Sequence, residues 1–547
     1  MVRKMIILLI VTVCCTLVSP LYALETGIDN LEVWGYVQNE MAFHTTRNSG
    51  TAPLYKDTYV SPLTGGTPLG HPASFAINGL LKENKNKHAG SMMKFENTFN
   101  LKALYRVIPG RLEVFGRFYL LFDSVYDIEN DIGWNRSGLP GRGNGPKSGD
   151  PRRRYRDDFH NTKTEDILRE LYVDYHSSNL ELRVGKQMIV WGEIDGFRLL
   201  DLVNPFDLRE FILDDYEDSR IPQWGVDAKW RFWPGKPNKS LEFVFLPNFR
   251  KNYFMEEGSQ WEVDELKVFN GGVNAFEWFD GLLGPLYNFE INDNKPANTF
   301  ENANFGLRYK DILQTKRGAL AYTFSYYYAL DYNFTPFVRS WSPLFGFGST
   351  NSKSPAGLPG FINAPTKVDL EYTRLHILGA TFNYTLGYWQ LRGEFAYTLN
   401  KYTGVNPLET GPGGQDMAKK KDAFDYCLGF DRSIFTDWFI SGQIIQNIII
   451  NADSHMVKGL SLRNRRSVDT HFTLVVQKLF NNDQMTIQNL LAYGTEGEWW
   501  ISPMFKWETT QNTTFSLGAQ IFEGNQYDTL GQFNRNDQIF TRFRYSF

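Results

Sequence analysis

The sequence predicts an all-β chain that closes into a transmembrane antiparallel β-barrel of about eighteen strands, with sixteen as the nearest alternative. Three observations predict this fold. Apolar and polar residues alternate with a period of two in segment after segment, short turns alternate with long polar loops, and the composition is aromatic-rich and cysteine-poor. Mean hydropathy is negative, which argues against a bundle of membrane helices.

The composition also excludes other classes of protein. A formal net charge of -4 over 547 residues gives no concentrated basic face, so we expect no nucleic-acid partner. Aromatic residues make up 16% of the chain, which offers ample surface to bury and argues against disorder.

The first residues have the layout of a secretory signal peptide. Arg3 and Lys4 precede an apolar run over residues 5–18, and Ala23 is a plausible cleavage point. We therefore expect a signal peptide over residues 1–23 and a single barrel domain over residues 24–547. Cys427 would be the only thiol of that domain, so no internal disulfide is expected.

The strands are predicted from strict alternation, because successive strand side chains point to opposite faces. Residues 93–107, 111–120 and 389–399 each place apolar side chains on one face and charged or polar side chains on the other. About eighteen such segments begin near residues 31, 93, 110, 167, 180, 222, 240, 302, 318, 368, 388, 422, 438, 467, 484, 498, 513 and 538. Many are long enough to cross a bilayer as tilted strands.

The connections between these segments are of two kinds. Turns such as residues 108–110, 176–179 and 481–483 are short, whereas the stretches at 44–92, 123–166, 191–221, 249–301, 331–367 and 400–421 are long and polar. This asymmetry is typical of a transmembrane barrel. A soluble sandwich would also alternate, and a propeller would need a repeat that the sequence lacks. Alternation alone therefore does not decide between barrel and sandwich.

The last strand adds a further observation. Phe543, Tyr545 and Phe547 lie on one face of the final segment, and the sequence stops on the last of them. This arrangement resembles the terminal strand of Gram-negative outer-membrane barrels, whose final aromatic residue is part of an assembly signal. The resemblance implies a bacterial outer-membrane location, with membrane lipid, lipopolysaccharide and the barrel-assembly machinery as partners. A basic cluster at residues 152–156 could bind lipopolysaccharide phosphates or form a solvated loop.

A barrel this wide leaves an aqueous lumen, and the polar strand faces should line it. These faces carry charges of both signs, at Lys94, Glu96, Arg111, Glu113, Arg117, Glu170, Asp174, Arg183, Asp227, Lys229, Arg231, Arg392, Glu394, Arg542 and Arg544. Two interpretations stay open. The charges either pair with one another without selectivity or orient polar and ionic solutes.

The loop at residues 191–221 is the most distinctive segment. Asn204 and Pro205 suit a helix start, which predicts a short amphipathic helix over residues 205–213. The loop contains nine acidic residues against three arginines. Folded inward, it would narrow the pore and favour cations, whereas a loop packed on the rim would do neither. The predicted pore and constriction residues are Glu193, Asp195, Arg198, Asp201, Asp207, Arg209, Glu210, Arg117, Arg183, Arg231, Arg392 and Glu394.

Residues 182–222 also carry a sequence pattern. Gly185-Lys186-Gln187 and Trp191-Gly192 precede an Asn-Pro-x-Asp-x-Arg stretch over residues 204–209, and Ile221-Pro222 follows. The pattern resembles an uncharacterised porin-like family of outer-membrane β-barrels, catalogued under a domain of unknown function. Relatives are associated with exporters of the resistance-nodulation-division type and with hydrophobic compounds, so the resemblance implies a possible exporter partner.

No enzyme, cofactor or metal site is expected. The sequence contains no Gly-x-Ser-x-Gly, His-Glu-x-x-His, Gly-rich phosphate loop or Cys-x-x-Cys. The leading hypothesis is a porin-like channel with a charged aqueous lumen narrowed by residues 191–221. The alternative is a barrel largely closed by its loops that conducts hydrophobic compounds or lipids, or serves an exporter. A hydrolase using His376 or His471 is a third hypothesis.

Overall fold

A computed structural model describes residues 27–45, 89–125, 167–194, 199–211, 213, 215–233, 235, 238–254, 261, 289–340, 366–404, 418–452, 467–524, 528–534 and 536–547. Its strands are β1 (Leu31–His44), β2 (Met92–Ile108), β3 (Leu112–Asp123), β4 (Leu168–His176), β5 (Leu180–Gln187), β6 (Asp207–Leu208), β7 (Gln223–Trp230), β8 (Ser240–Leu246), β9 (Tyr253–Phe254), β10 (Phe289–Asp293), β11 (Asn304–Thr315), β12 (Gly318–Leu330), β13 (Thr335–Ser340), β14 (Thr366–Glu371), β15 (Arg374–Leu386), β16 (Trp389–Gly404), β17 (Ala418–Ile434), β18 (Trp438–Ile449), β19 (Val468–Phe480), β20 (Met485–Gly494), β21 (Trp499–Glu508), β22 (Thr513–Glu523) and β23 (Gln538–Ser546). One helical turn, α1, spans Tyr216–Ser219, and 3-10 turns span Phe300–Asn302 and Gly531–Phe533.

Eighteen of these strands form one closed antiparallel sheet, which confirms the predicted barrel. Each barrel strand pairs with its neighbours along the chain, and β1 pairs with both β2 and β23 to close the ring. Gly35 and Phe547 exchange two backbone hydrogen bonds of 2.9 Å at this seam. Closure leaves no strand edge unpaired, as a sheet in hydrocarbon requires. The predicted strand start near residue 368 falls in β14, and the barrel strand begins at Arg374.

The sheet exposes its apolar face and buries its charged face, which is the reverse of the arrangement in a soluble protein. On β3, Phe118, Leu120 and Phe122 are exposed on the outer surface, whereas Arg117 on the inner face is fully buried. The same arrangement recurs around the ring, at Phe324, Leu378, Ile487 and Leu517 among others. An apolar outside with a charged inside suits a barrel surrounded by lipid. No helix within the described ranges is long and apolar enough to span a membrane.

The connections follow the predicted asymmetry. Short turns, such as those at Gly110 and Gly387 with φ of +72° and +60°, lie at the end of the barrel where β1 begins. The long connections join strands at the other end. Two small sheets join these loops to one another: β10, β14 and β13 form one, and β6 pairs with β9 in the other. The pairing of β6 with β9 ties the loop at residues 191–221 to the loop that follows β8.

The helix predicted over residues 205–213 is wrong. Asn204 accepts a hydrogen bond from the backbone of Ile189 instead of capping a helix, at 3.0 Å. The backbone of Phe206 bonds to Asn252 and Tyr253 of the next long loop. These partners come from a distant part of the chain, so the local sequence could not reveal them. The helical turn of this loop is α1, which follows the predicted position.

Candidate functional site

Residues 189–194 and 199–204, at the start of the loop, pack on the inner wall; we name them the anchored segment. Ile189, Trp191, Leu200 and Val203 are buried in one apolar cluster. The wall contributes inward-facing residues of β8, β12, β15 and β16 to this cluster, namely Val244, Leu246, Tyr327, Ala329, Leu375, Ile377 and Ala396. Burial of each large apolar side chain stabilises the contact by about 1.5–3 kcal/mol.

The carboxylate of Glu394 on β16 fixes the backbone of the anchored segment. It accepts hydrogen bonds from the backbone amides of Glu193, Ile194 and Leu200, the last two at 3.0 and 3.1 Å. Its neighbour Arg392 donates to the carbonyl oxygen of Glu193 at 2.9 Å. Two side chains of the wall therefore satisfy backbone amide and carbonyl groups that would be paired within a helix or a strand elsewhere.

Side chains also bind the backbone at the far end of the anchored segment. The carbonyl oxygen of Val203 accepts hydrogen bonds from Tyr332 at 2.7 Å and Gln223 at 3.1 Å. The indole of Trp191 donates to Glu242 at 3.1 Å, and Arg308 pairs with the same carboxylate. Apolar burial and hydrogen bonds to wall side chains, several of them charged, thus hold this segment.

The described residues of the second part of the loop, 210, 211, 213 and 215–218, contact a different stretch of wall; we name them the acidic segment. Asp215 lies between two arginines of β23, 3.3 Å from Arg542 and 3.1 Å from Arg544. Glu210 lies 2.6 Å from Lys94 of β2. The segment is therefore held by charges that the strands supply.

The helical turn α1 continues this pattern. Glu217 accepts from Lys102 of β2 at 2.7 Å and lies 3.1 Å from Arg117 of β3. Asp218 accepts from Arg117 at 2.6 Å and from the hydroxyl of Tyr36 at 3.0 Å. Four of the loop's acidic residues, Glu210, Asp215, Glu217 and Asp218, are thus paired with inward-facing cations.

Protonation differs along the acidic segment. Burial favours neutral carboxyls, but Arg542 and Arg544 hold the pKa of Asp215 below its usual range. Lys102 and Arg117 likewise outweigh burial and lower the pKa of Glu217. Burial raises the pKa of Glu210 to about 7, and Lys94 offsets this only in part. Glu210 therefore titrates near neutral pH.

An apolar cluster within the barrel joins the loop to other connections. The ring of Phe211 lies 4.5 Å from that of Phe533, in the connection between β22 and β23. Trp500 of β21 stacks on Phe522 of β22 at 5.7 Å, and Trp261 contacts Phe522 as well. Because Trp500 and Phe522 lie on the inner face, part of the lumen wall is aromatic.

A family model described as "Protein of unknown function (DUF1302)" matches residues 76–547. The chain belongs to this family. No curated protein has a sequence that matches it.

Solved structures of porins resemble this DUF1302 chain at low identity. OmpF of Salmonella typhi, in complex with daunomycin, is 10% identical, with 94% of this chain and 97% of that chain covered and a TM-score of 0.38. OccAB2 of Acinetobacter baumannii is 10% identical, over 95% and 98%, with a TM-score of 0.43. A BenF-like porin from Pseudomonas fluorescens Pf-5 is 9% identical, over 95% and 98%, with a TM-score of 0.43. A similarity at this level says nothing about what the DUF1302 chain transports.

The predicted pore residues fall into three groups. Glu193, Arg392 and Glu394 meet where the anchored segment contacts β16. Glu210 and Arg117 lie at the other wall. Asp201 pairs with Arg220 at 2.7 Å and Asp207 with Arg209 at 2.8 Å, so these charges are balanced within the loop.

The remaining predicted residues are not brought together with the loop. Arg183 pairs with Asp174 at 2.7 Å on neighbouring strands, and Arg231 pairs with Glu181 beside the turn after β7. Asp195 and Arg198 lie outside the described residues, as do the predicted signal peptide and the basic cluster at residues 152–156.

The two strand histidines lie on opposite faces of the sheet. His376 contacts Tyr326 at 2.8 Å and alternates with the inward-facing Ile377, whereas His471 is buried in the lumen beside Glu498 at 3.0 Å. No cluster of three or more metal-ligating side chains occurs in the part of the chain that the structure describes.

Sequence reasoning missed several residues of the site. At the acidic segment these include Lys102 and Arg169, which bind the segment, and Glu40, which pairs with Lys94 and Arg542. Lys102 lies on the polar face of β2, eight residues after Lys94, so the alternation could have identified it. Nothing in the local sequence indicates that Arg169 binds backbone carbonyls of Asp218 and Arg220.

Proposed function

We propose that the chain is a porin-like channel of a bacterial outer membrane, with a charged aqueous lumen narrowed by residues 191–221. The observation that carries this proposal is the course of the loop. The anchored segment contacts β8, β12, β15 and β16, and the acidic segment contacts β1, β2, β3 and β23. A loop held at both of these walls crosses the interior and reduces the open cross-section.

Planar-bilayer recording of refolded protein tests the channel. We expect stepwise conductance, and deletion of residues 195–215 should increase the size of the steps. An unchanged step size in a folded deletion variant would reject the constriction. Heat-dependent gel mobility checks that the barrel has formed.

Because the deletion also removes buried residues, a second measurement keeps the chain intact. The side chain of Glu217 is about half exposed, so Glu217→Cys in a Cys427→Ala background should react with a bulky thiol reagent and lose conductance. Tyr388→Cys, in the exposed turn between β15 and β16, is the matched control and should keep its conductance after labelling. Equal currents before and after labelling of Glu217→Cys would contradict the proposal.

An aromatic cluster inside the barrel favours the alternative function, a conduit for hydrophobic compounds. Phe211, Trp500, Phe522 and Phe533 pack together inside the barrel, and a hydrophobic solute that enters this cluster would replace their mutual contacts. Vesicles containing the protein should then admit an apolar dye, and Phe522→Ala should slow this entry. Dye entry equal to that of protein-free vesicles would reject the conduit.

A further inference from the structure

The wall behind the acidic segment carries an excess of positive charge. Six cationic side chains on β2, β3, β4 and β23 contact this loop, namely Lys94, Lys102, Arg117, Arg169, Arg542 and Arg544. The wall itself supplies three carboxylates to them, Glu40, Glu96 and Glu170. The remaining negative charge comes from Glu210, Asp215, Glu217 and Asp218 of the loop.

The contact geometry is that of carboxylate recognition. Each oxygen of Asp215 faces a different guanidinium, Oδ1 towards Arg542 and Oδ2 towards Arg544. Arg117 in turn faces two carboxylates, Glu217 and Asp218, through its two terminal nitrogens. Arginine pairs placed in this way bind a carboxylate by charge-assisted hydrogen bonds.

Two of the four loop carboxylates at this wall are accessible to competition. The side chains of Asp215 and Glu217 are about half exposed, at 46% and 53%. Ion pairs contribute only about 0.2–1 kcal/mol when both groups are exposed, so these partly exposed pairs are the ones that a solute carboxylate displaces first. The buried guanidinium of Arg117 contacts both Glu217 and Asp218, so it becomes available to a solute only when the loop leaves this wall.

We propose that these six cations form a binding site for small carboxylate solutes, and that the acidic segment occupies this site as a built-in competitor. The inference rests on the proposed function, because a solute reaches the wall only through the lumen. A solute carboxylate takes the place of Asp215 or Glu217 between the same cations, and the loop is released from this wall while the anchored segment stays in place.

Titration calorimetry with succinate in detergent tests the site. The variant D215N/E217Q/D218N should bind succinate at least about tenfold more tightly than the unsubstituted chain, because the competitor is gone. Adding R542Q and R544Q to this variant should abolish the gain. Affinity equal to that of the unsubstituted chain would overturn the proposal, and tighter binding of inorganic phosphate would overturn the assignment to carboxylates.

A matched control removes the same charge elsewhere in the lumen. D174N/D227N/D431N neutralises three inward-facing carboxylates that face Arg183, Lys229 and Arg392. This control should bind succinate no better than the unsubstituted chain, and an equal gain would refute a specific site. If the first variant does not fold, E217Q alone should bind about threefold more tightly.

Reversal potentials in a KCl gradient separate this inference from the proposed function. In D215N/E217Q/D218N the permeability ratio of chloride to potassium should rise by about threefold or more. Absence of conductance in the folded, unsubstituted chain would reject the channel, while calorimetry would still decide the site. Conductance with an unchanged permeability ratio would reject the inference that this variant uncovers the six cations, and it would not contradict the proposed channel.

Discussion

The two parts of the loop at residues 191–221 are held to the barrel by different forces. The anchored segment buries Ile189, Trp191, Leu200 and Val203 and gives its amides to Glu394. The acidic segment makes ion pairs with strand cations, and the side chains of Asp215 and Glu217 are each about half exposed to water. One part is therefore a fixed element of the wall, and the other can exchange its partners.

The free energies of apolar burial and of ion pairing explain this difference. Burial of one large apolar side chain is worth about 1.5–3 kcal/mol and does not depend on salt. An exposed ion pair is worth about 0.2–1 kcal/mol and weakens as the salt concentration rises. A loop that combines both kinds of contact can move at one end without leaving the barrel.

The largest effect is expected for Leu200→Ala. The side chain is buried against β15, close to Gly379, so truncation leaves a cavity that destabilises the anchored segment by about 2–5 kcal/mol. Leu202→Ala, at a partly buried position of the same segment, is the control and should cost less. Hydrogen exchange over residues 189–204 measures both, and equal exchange in the two variants would remove the basis of the comparison.

Glu394→Ala should have the next largest effect. It leaves three amides of the anchored segment without an acceptor, and one buried unsatisfied amide costs about 1–3 kcal/mol. Exchange at the amides of Ile194 and Leu200 should accelerate by about 100-fold, while Asp218 and Ser219 stay unchanged. Glu394→Gln keeps one acceptor oxygen and should give an intermediate rate. If amide exchange accelerated equally in the anchored and acidic segments, the two segments would not be attached to the barrel independently.

Salt should act on the acidic segment alone. Raising KCl from about 0.1 to 1 M shortens the screening length from about 10 to 3 Å and weakens the pairs of Asp215 and Glu217. Exchange at the amides of Asp218 and Ser219, which donate to the carbonyl oxygen of Asp215, should rise by about fivefold. Exchange at Leu200 is the internal control and should not change. Salt-insensitive exchange throughout would show that the ion pairs do not hold the segment.

The smallest effect concerns pH. Glu210 has a pKa raised to about 7, so its stabilising contribution is complete below its ordinary pKa and is lost as the pH rises through about 7. Ionised Glu210 then repels Glu40 and Glu96 around Lys94, which loosens the segment. Conductance should rise by up to about twofold between about pH 6 and 8.

Glu210→Gln should remove this dependence on pH, because it stays neutral throughout. Glu217→Gln is the matched control and should retain the dependence, since the pKa of Glu217 is lowered and does not lie near 7. A pH step that survives in Glu210→Gln would assign the titration to another group.

Much of the barrel could be predicted because its determinants are local. Alternation along β3 and β16 places Arg117, Arg392 and Glu394 on the inner face, as the structure has them. The helix over residues 205–213 could not be predicted correctly, since Asn204 binds the backbone of Ile189 and Phe206 binds Asn252 of the next long loop. The partners of the loop's carboxylates could not be predicted either, because a residue count does not reveal that Arg117, Arg542 and Arg544 face Asp215, Glu217 and Asp218.

The alternation in the sequence was enough to indicate a barrel of about eighteen strands, the face that each strand presents to lipid, and the positions of most turns and loops. These follow from the period-two geometry of a strand and from the need to pair every strand edge in hydrocarbon. The wall that each part of the loop contacts, and the strand charges that its carboxylates meet, became visible in three dimensions alone. Those loop-to-wall pairings join residues more than a hundred positions apart, such as Lys94 with Glu210 and Asp215 with Arg544, and the inward course of the loop brings them together.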